Sequence, residues 1–309
     1  MTQLTTLSGD ALAPIAFGAM QFGGKADETA ARAMFDACRA AGIRHFDTAW
    51  GYTEGRSEEM LGRLIDDRDS LFIASKVAYT GGADRANITA QLDTSRRRLG
   101  LDCIDLLYLH RFDADTPLEE TIETMAGFQS AGLIRLIGLS NYAAWQVMKA
   151  QGIAQQLGTR IDVIQPMYNL VKRQAEVELL PMCADQGIVA CTYSPLGGGL
   201  LSGKYQWGGT GRLTEDARYN ARYAVPQMHD ASEGLTQIAV REGVHPATLA
   251  VAWVMGSGFG AQPILSASHP EQLKPSLEAL TFNLRPDLHA ELTALMPAPP
   301  PATDRIEEA

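Results

Sequence analysis

Short apolar runs alternate with longer segments of helical pattern from one end of the chain to the other. Eight of the runs have the length and aliphatic content of buried strands. They lie at residues 14–20, 44–49, 71–77, 102–110, 133–141, 161–169, 187–196 and 261–267. Amphipathic segments separate them, such as 28–42, which ends at a Gly suited to a helix C-cap. The alternation predicts parallel strands joined by helical crossovers.

Eight such units favour one fold over the others. With no break in composition between them, they predict an α/β fold, a (β/α)8 TIM barrel of eight parallel strands, with residues 1–296 as a single domain. The alternative is an open sheet of nine elements. A long loop rich in Gly and aromatic residues follows strand seven. Residues 297–309 are rich in Pro and charge, which predicts a flexible C-terminal tail.

The composition narrows the partners and the compartment. The chain has 309 residues and a formal net charge of −10, which argues against a nucleic acid or an anionic membrane as partner. Its four cysteines are scattered without C-x-x-C spacing, which is typical of buried thiols. No secretory leader is recognisable, and no apolar run reaches the roughly 18–20 residues that span a bilayer. A cytoplasmic protein is expected.

Polar side chains occupy the carboxyl ends of several predicted strands, and in a barrel these ends converge on one mouth. Strand two ends in Asp47, with Tyr52 in the loop beyond. Strand three ends in Lys76, and strand four ends in His110. Each of these residues alone has a structural explanation, as a turn cap or a solvent contact. A carboxylate, a phenol, an amine and an imidazole on one rim together indicate a catalytic site.

Six stretches along the chain form a recognisable set of motifs. They are FDTAWGYTEGRSEEMLG at 46–62, IASKV at 73–77, DLLYLHRFD at 105–113, IRLIGLSNY at 134–142, IQPMYN at 164–169 and YSPLGGGLLSGKY at 193–205. In this order they resemble the aldo-keto reductases over nearly the whole chain. The resemblance implies a nicotinamide-dependent oxidoreductase acting on an aldehyde or ketone, or on the matching alcohol. It implies Asp47, Tyr52, Lys76 and His110 as the catalytic residues.

The chemistry of these four side chains is consistent with carbonyl reduction. A free phenol has a pKa of about 10 and is a sluggish acid at neutral pH. An ammonium beside it favours the phenolate and lowers that pKa, which is the role expected of Lys76 towards Tyr52. Asp47 would hold Lys76 charged and oriented. His110 would donate a hydrogen bond to the carbonyl oxygen.

The resemblance also implies NADP(H), with NAD(H) as the alternative, and a set of cofactor contacts. Ser140, Asn141 and Gln165 would hold the nicotinamide carboxamide, and Tyr193 would stack on the ring. The full set is Gly18, Met20, Asp47, Ser140, Asn141, Gln165, Tyr193, Ser194, Leu196, Gly198, Lys204, Ser266, Ser268 and Gln272.

The stretch GGLLSGK at 198–204 has the spacing of a phosphate-binding P-loop. Tyr205, however, stands where such a loop needs Ser or Thr for Mg²⁺, and no helical pattern follows. We therefore interpret the stretch as a flap over the cofactor diphosphate, with Leu196, Gly198 and Lys204 near it.

The chain departs from the family pattern at two places. Thr53 follows the catalytic Tyr, where the family usually has Gly. Ser266, Ala267 and Ser268 stand where the family commonly has Gly-Ala-Arg, whose Arg pairs with the 2′-phosphate of NADP. A serine offers hydrogen bonds without charge, so NAD(H) use stays open.

The substrate is defined only in outline. Trp50, Tyr52, His110 and Phe112 are the expected substrate contacts. An aromatic pocket for a planar or apolar substrate would be lined by Met20, Trp50, Tyr79, Phe112, Tyr142 and Trp207. Aromatic residues at strand ends are, however, also common in the core. In the insertion, Arg212, Arg218 and Arg222 either meet an anionic substrate or belong to a solvated loop or subunit contact.

Other readings of the chain remain. HRFDAD at 110–115 resembles a metal cluster only faintly, because it lacks a second His at ligand spacing, and no metal is expected. His45 is expected to be structural. A regulatory subunit that binds the cofactor and senses redox state with little turnover is the alternative function. A barrel enzyme acting on a sugar phosphate is a third. The physiological substrate, the direction of the reaction and the oligomeric state stay open.

Overall fold

Eight parallel strands close into a barrel in which each strand pairs with its neighbours in chain order and the last pairs with the first. The structure is a computed structural model that describes residues 3–305 and 307. The strands are β1 (Ala16–Gly18), β2 (His45–Asp47), β3 (Phe72–Val77), β4 (Ile104–Leu109), β5 (Ile134–Ser140), β6 (Val163–Gln165), β7 (Val189–Tyr193) and β8 (Gln262–Leu265). The predicted TIM barrel is confirmed, and the open sheet is wrong.

The barrel interior is filled by side chains from alternating strand positions. Every residue of β3 and β4 is buried, as strands covered on both faces require. Tyr108 on β4 lies opposite Gly138 on β5, and a Cβ at Gly138 would stand 2.4 Å from the Tyr108 ring. The glycine therefore makes room for a large aromatic side chain inside the barrel.

Helices surround the barrel, mostly at the positions that the sequence pattern predicts. The helices are α1 (Glu28–Ala40), α2 (Arg56–Leu64), α3 (Arg85–Leu99), α4 (Leu118–Ser130), α5 (Ala144–Gln156), α6 (Leu179–Gln186), α7 (Arg212–Glu215), α8 (Ala217–Arg222), α9 (Pro226–Glu242), α10 (Pro246–Met255), α11 (Pro270–Glu278) and α12 (Pro286–Thr293). Among residues 3–305 and 307, no helix has both the length and the apolar character that crossing a membrane requires.

Among the described residues, no side chain caps the start of α2 with a hydrogen bond. The helix begins at Arg56, after Gly55 in a left-handed conformation with φ of 94°. The Ser57 hydroxyl instead lies in the interior and donates to the Ala19 carbonyl at 2.7 Å. Ser57 therefore joins the loops that follow β1 and β2.

The long connection after β7 is partly helical. It contains 3-10 turns at 197–202 and 204–207, followed by the short helices α7 and α8. An ion pair between Lys25 and Glu215 ties this connection to the loop after β1. The connection therefore lies over the mouth of the barrel instead of extending into solvent.

Candidate active site

A buried ion pair lies at the carboxyl ends of β2 and β3. The Lys76 ammonium bonds to one Asp47 carboxylate oxygen and donates to the Thr48 carbonyl at 2.8 Å. The other Asp47 oxygen accepts from Gln165 Nε2 at 2.9 Å. The two charged side chains are 0% and 4% exposed. The structure thus brings together Asp47 and Lys76, two of the four residues that the resemblance implies as catalytic.

Burial acts on the pKa values of Asp47 and Lys76, with different outcomes for the two groups. Burial raises the pKa of Asp47, against the opposing effects of Lys76 and Gln165. Burial alone would lower the pKa of Lys76, but the Asp47 carboxylate and the Tyr52 phenol outweigh it, so the pKa of Lys76 lies above its ordinary value. We therefore take Lys76 to be an ammonium at neutral pH.

Tyr52 stands at the opening of the barrel between Lys76 and His110. The Lys76 nitrogen is 4.9 Å from the centroid of the Tyr52 ring, and the imidazole of His110 meets that ring edge-on at 5.7 Å. Burial raises the pKa of the Tyr52 phenol; Lys76 lowers it and Asp47 raises it further. Lys76 thus acts in the expected direction, but burial outweighs it.

His110 is held as a neutral imidazole. Burial, together with the nearby charges of Lys76 and Arg111, lowers its pKa to about 3. Its backbone is fixed at both ends, since its N–H donates to Val77 O at 2.8 Å and its carbonyl accepts from Asn141 Nδ2 at 2.9 Å. Within the described part of the chain, its ring nitrogens form no hydrogen bond. The ring is therefore free to bind a polar atom at the mouth.

Backbone strain concentrates on this mouth. Thr53, Ala78, Asn141 and Ser194 all have positive φ, between 48° and 62°, and each follows a barrel strand. Such conformations are costly for residues other than Gly and gather at functional sites. Thr53 has φ of 48°, a conformation that favours the Gly usual in the family at this place. Its hydroxyl donates to the Phe22 carbonyl at 2.8 Å, a contact that Gly could not make.

Polar residues at the ends of β5, β6 and β7 form one hydrogen-bonded set. The Ser140 hydroxyl donates to the Gln165 carbonyl at 3.0 Å, and the Tyr193 hydroxyl donates to Asn141 Oδ1 at 2.8 Å. The structure thus brings Ser140, Asn141, Gln165 and Tyr193 together beside Asp47. At the first strand, a Cβ on Gly18 would stand 3.1 Å from Ile264, so the backbone there is closely packed.

The connection after β7 has the character of an anion site. The ammonium of Lys204 is 4.9 Å from the Tyr205 ring centroid and close to Gly199 and Gly211, where a Cβ would meet it. Burial lowers the pKa of Lys204; Glu215 opposes this, and Lys25 and Arg212 add to it. No carboxylate among the described residues lies within ion-pair distance of Lys204. A half-buried cation in a glycine cradle fits a phosphate group.

Other predicted cofactor residues line the same connection or the edge of β8. Leu196, Ser194 and Gly198 lie half-buried at the start of the connection, and Met20 is half-buried after β1. At β8 the backbone N–H and hydroxyl of Ser268 both donate to Gln272 Oε1, at 2.9 and 3.1 Å.

The charges beside Ser268 are mixed. Ser266 is exposed, and the imidazole of His269 lies 3.2 Å from the Glu271 carboxylate. Among residues 3–305 and 307, no arginine takes part in this group.

The predicted substrate residues separate into two groups. Phe112 packs edge-on against Tyr142 at 5.3 Å and against Trp145 at 6.1 Å, and Trp145 is 64% exposed. Tyr79 lies 4.9 Å from the His110 ring. Trp207, by contrast, is 83% exposed, and none of the ring contacts between described residues joins it to the others.

Two features of the mouth were missed from the sequence. Arg98 holds Trp50 in place: its guanidinium donates to the Trp50 carbonyl at 2.9 Å and pairs with the buried Glu58 carboxylate at 3.3 Å. The second feature is Trp145, which packs against Phe112 although it belongs to helix α5. From the sequence, only the spacing of acidic and basic residues on α2 and α3 could have indicated the pairing of Arg98 with Glu58. Among the described residues, no group of three or more potential ligands could hold a metal ion.

Comparison with known proteins identifies the family. A family model described as the aldo/keto reductase family matches residues 14–297. The chain belongs to the aldo/keto reductase family. Nicotinamide-dependent oxidoreductase activity is therefore supported, and the resemblance noted from the motifs is confirmed.

Three relatives illustrate the range of the family. A protein of Oryza sativa subsp. japonica named "Probable voltage-gated potassium channel subunit beta" is 32% identical, over 96% of this chain and 97% of that protein. "Protein tas" of Escherichia coli (strain K12) is 32% identical, over 91% and 93%. "L-glyceraldehyde 3-phosphate reductase" of the same strain is 30% identical, over 77% and 75%. The family thus includes proteins named for enzymatic and for channel-associated roles.

Proposed function

We propose that the protein transfers a hydride between a nicotinamide cofactor and an aldehyde or ketone, or the matching alcohol, with Tyr52 as the general acid and base. One observation carries the proposal: a phenol, an ammonium and a neutral imidazole face one opening at the carboxyl end of the barrel. Such a group can bind a carbonyl oxygen and deliver a proton to it.

Each of the four residues has a distinct part in the proposed reaction. His110 donates a hydrogen bond to the carbonyl oxygen and orients it towards Tyr52. The Tyr52 hydroxyl gives its proton to that oxygen as negative charge develops there. Lys76 stabilises the phenolate that remains, which matters because burial otherwise raises the pKa of Tyr52. Asp47 holds the ammonium in place and does not itself meet the substrate.

The cofactor would be held by the residues at the ends of β5 to β8. Asn141, Gln165 and Tyr193 would contact the nicotinamide end, and Lys204 would bind the diphosphate. The nicotinamide supplies the hydride when it is bound.

NADP(H) is the proposed cofactor, with NAD(H) as the alternative. Ser268, Gln272 and His269 offer hydrogen bonds to a 2′-phosphate, whereas Glu271 beside them would repel it. The balance between these groups decides the preference for NADP(H) or NAD(H), because no guanidinium of the described residues joins them to dominate it.

Titration with NADPH and NADH, followed by quenching of tryptophan fluorescence, tests the cofactor assignment. Lys204→Met should weaken both cofactors equally, because both carry the diphosphate. Ser268→Ala should weaken NADPH alone. Failure of the wild-type protein to bind either cofactor would overturn the proposed function, and tighter binding of NADH would reverse only the preference.

A regulatory subunit is the second candidate. It is favoured by the relatives named as potassium channel β subunits, including the rice protein. Cofactor binding without turnover of a reactive aldehyde such as 4-nitrobenzaldehyde would support it. Steady turnover would favour the enzyme. We further propose a cytoplasmic location, in keeping with free thiols at all four cysteines.

A further inference from the structure

Unpaired arginines surround the mouth of the barrel. Most arginines of the chain form an ion pair, but among the described residues Arg111 and Arg222 have no carboxylate within 4.0 Å, and the same holds for Arg212. Arg111 stacks over Tyr79 at 5.2 Å, and Arg222 stacks over Tyr219 at 5.1 Å. Of the five arginines without a carboxylate partner among the described residues, these three lie in the connections after β4 and β7, and the other two are Arg44 and Arg97. In a chain with a net charge of −10, three such cations at one end of the barrel favour a role in binding an anion.

Contacts link these arginines to the reacting centre. Arg111 stacks on the Tyr79 ring, and that ring is 4.9 Å from the imidazole of His110. Arg222 is close enough to Tyr193 to lower its pKa, although burial prevails and raises that pKa to about 12. Tyr219, beneath Arg222, likewise influences Tyr52. Geometry places Tyr219 as well: a Cβ on Gly198, in the connection after β7, would stand 2.9 Å from its ring. Arg111 and Arg222 therefore lie in the connections that follow β4 and β7, at the carboxyl end of the barrel.

The nearby acidic side chains are already engaged. Asp113 accepts from the Thr116 hydroxyl at 2.6 Å and from Ala83 N at 2.8 Å. Asp216 binds Arg218 at 3.0 Å. Among the described residues, neither carboxylate forms an ion pair with Arg111 or Arg222, although Arg111 is close enough to Asp113 to help lower its pKa.

Without a carboxylate partner, these guanidinium groups keep N–H donors for a ligand. A guanidinium can bond to a carboxylate or phosphate through two N–H groups at once. Arg212 and Lys204 lie with the glycines of the connection after β7, where the cofactor diphosphate is proposed. Arg111, which follows β4 and borders His110, lies on the substrate side.

We propose that the substrate is a carbonyl compound with an anionic group, a carboxylate or a phosphate, several bonds from the carbonyl, and that Arg111 and Arg222 bind this group. This inference rests on the proposed function, because it concerns the substrate of the same opening. Tyr79 and Phe112 would border the part of the substrate between its carbonyl and its anion.

The test compares matched aldehydes. We would measure kcat/KM for 4-carboxybenzaldehyde, for its methyl ester and for 4-formylphenyl phosphate, in the wild type and in Arg111→Gln, Arg222→Gln and the double variant. Arg97→Gln is the control, because Arg97 is an exposed arginine on the outer helix α3 and, among the described residues, its side chain bonds only to Thr94. The two anionic aldehydes distinguish a carboxylate site from a phosphate site.

We expect Arg111→Gln and Arg222→Gln each to lower kcat/KM for at least one anionic aldehyde by roughly tenfold, because hydrogen bonds to charged groups have about that effect. The kcat/KM for the methyl ester should stay nearly unchanged. Added salt should lower kcat/KM for the anionic aldehydes only. An unchanged ratio of anion to ester in the double variant would overturn the inference. So would an effect confined to cofactor affinity.

A binding measurement separates this inference from the proposed function. The alcohol 4-(hydroxymethyl)benzoate can be titrated into the cofactor-loaded protein whether or not turnover occurs. Binding that weakens about tenfold in Arg222→Gln would support the anion site even if no aldehyde reacts. Loss of all turnover with that binding intact would overturn the proposed function alone, and equal binding in all variants would overturn the anion site alone.

Discussion

Asp47→Asn should destabilise the protein far more than an ordinary surface substitution. The variant leaves the Lys76 ammonium inside the barrel, where its side chain is 0% exposed, without its carboxylate. Removing one partner of a buried ion pair costs about 3–5 kcal/mol. The Thr48 carbonyl still accepts from Lys76 at 2.8 Å, so we expect the lower end of that range.

The pH dependence follows from the pKa of Lys76. In the wild type this pKa lies above the unfolded value of about 10.4, so the stabilisation from the ammonium is present below that pH and lost above it. In the variant, burial is no longer opposed by Asp47 and lowers the pKa of Lys76. The folded variant then binds fewer protons than the unfolded chain, and its stability rises as the pH increases towards about 10. The difference in the free energy of unfolding between the wild type and Asp47→Asn should therefore become smaller at alkaline pH.

Urea unfolding followed by circular dichroism measures the effect, provided that the m-values agree. Glu28→Gln is the control, because its pair with Arg63 is 3.4 Å long and more than half exposed, and it should cost under about 1 kcal/mol. The double variant Asp47→Asn/Lys76→Met should recover much of the loss. The reasoning would be refuted by a loss no larger than that of Glu28→Gln, or by strictly additive single substitutions.

Three further predictions concern packing and backbone strain. His45→Leu should stabilise the fold by about 1–2 kcal/mol, because both ring nitrogens of His45 are buried without a hydrogen-bond partner among the described residues. Because the fold lowers the pKa of His45 to about 3, the wild type should lose stability as the pH falls below about 6.5, and the variant should lose less. Thr53→Ala should be about 1 kcal/mol less stable than Thr53→Gly, because both lose the hydroxyl and only Gly relieves the positive φ; equal urea midpoints would contradict this. Gly138→Ala should cost about 1–3 kcal/mol by forcing the Tyr108 ring aside, which thermal unfolding would show, and an unchanged Tm would argue against the close contact.

The barrel and its four central residues could be predicted because both depend on strands. A parallel strand covered on both faces is a continuous apolar run, so an Asp, Lys or His at its end stands out. The barrel geometry then brings Asp47, Lys76 and His110 to one opening. Tyr52 follows from its place in the loop beyond Asp47.

The rest depended on contacts between distant segments. The positive φ of Thr53 is set by the loop after β1, through the Phe22 carbonyl, and no local pattern shows it. The proposed anion site joins Arg222, a candidate of the sequence analysis, to Arg111, which is far from it in the sequence and was not a candidate. The net rise in the pKa of Tyr52 reflects burial, which the sequence does not quantify.

Steady-state reduction of a reactive aldehyde by Tyr52→Phe tests the central claim most directly. The substitution removes only the hydroxyl, so the ring contacts with His110 and Lys76 and the binding of the cofactor should persist. We predict that kcat falls by roughly 10²–10⁴-fold, as expected for the loss of a general acid, while the Kd of the cofactor stays unchanged. A kcat within about threefold of the wild type would contradict the assignment of Tyr52 as proton donor.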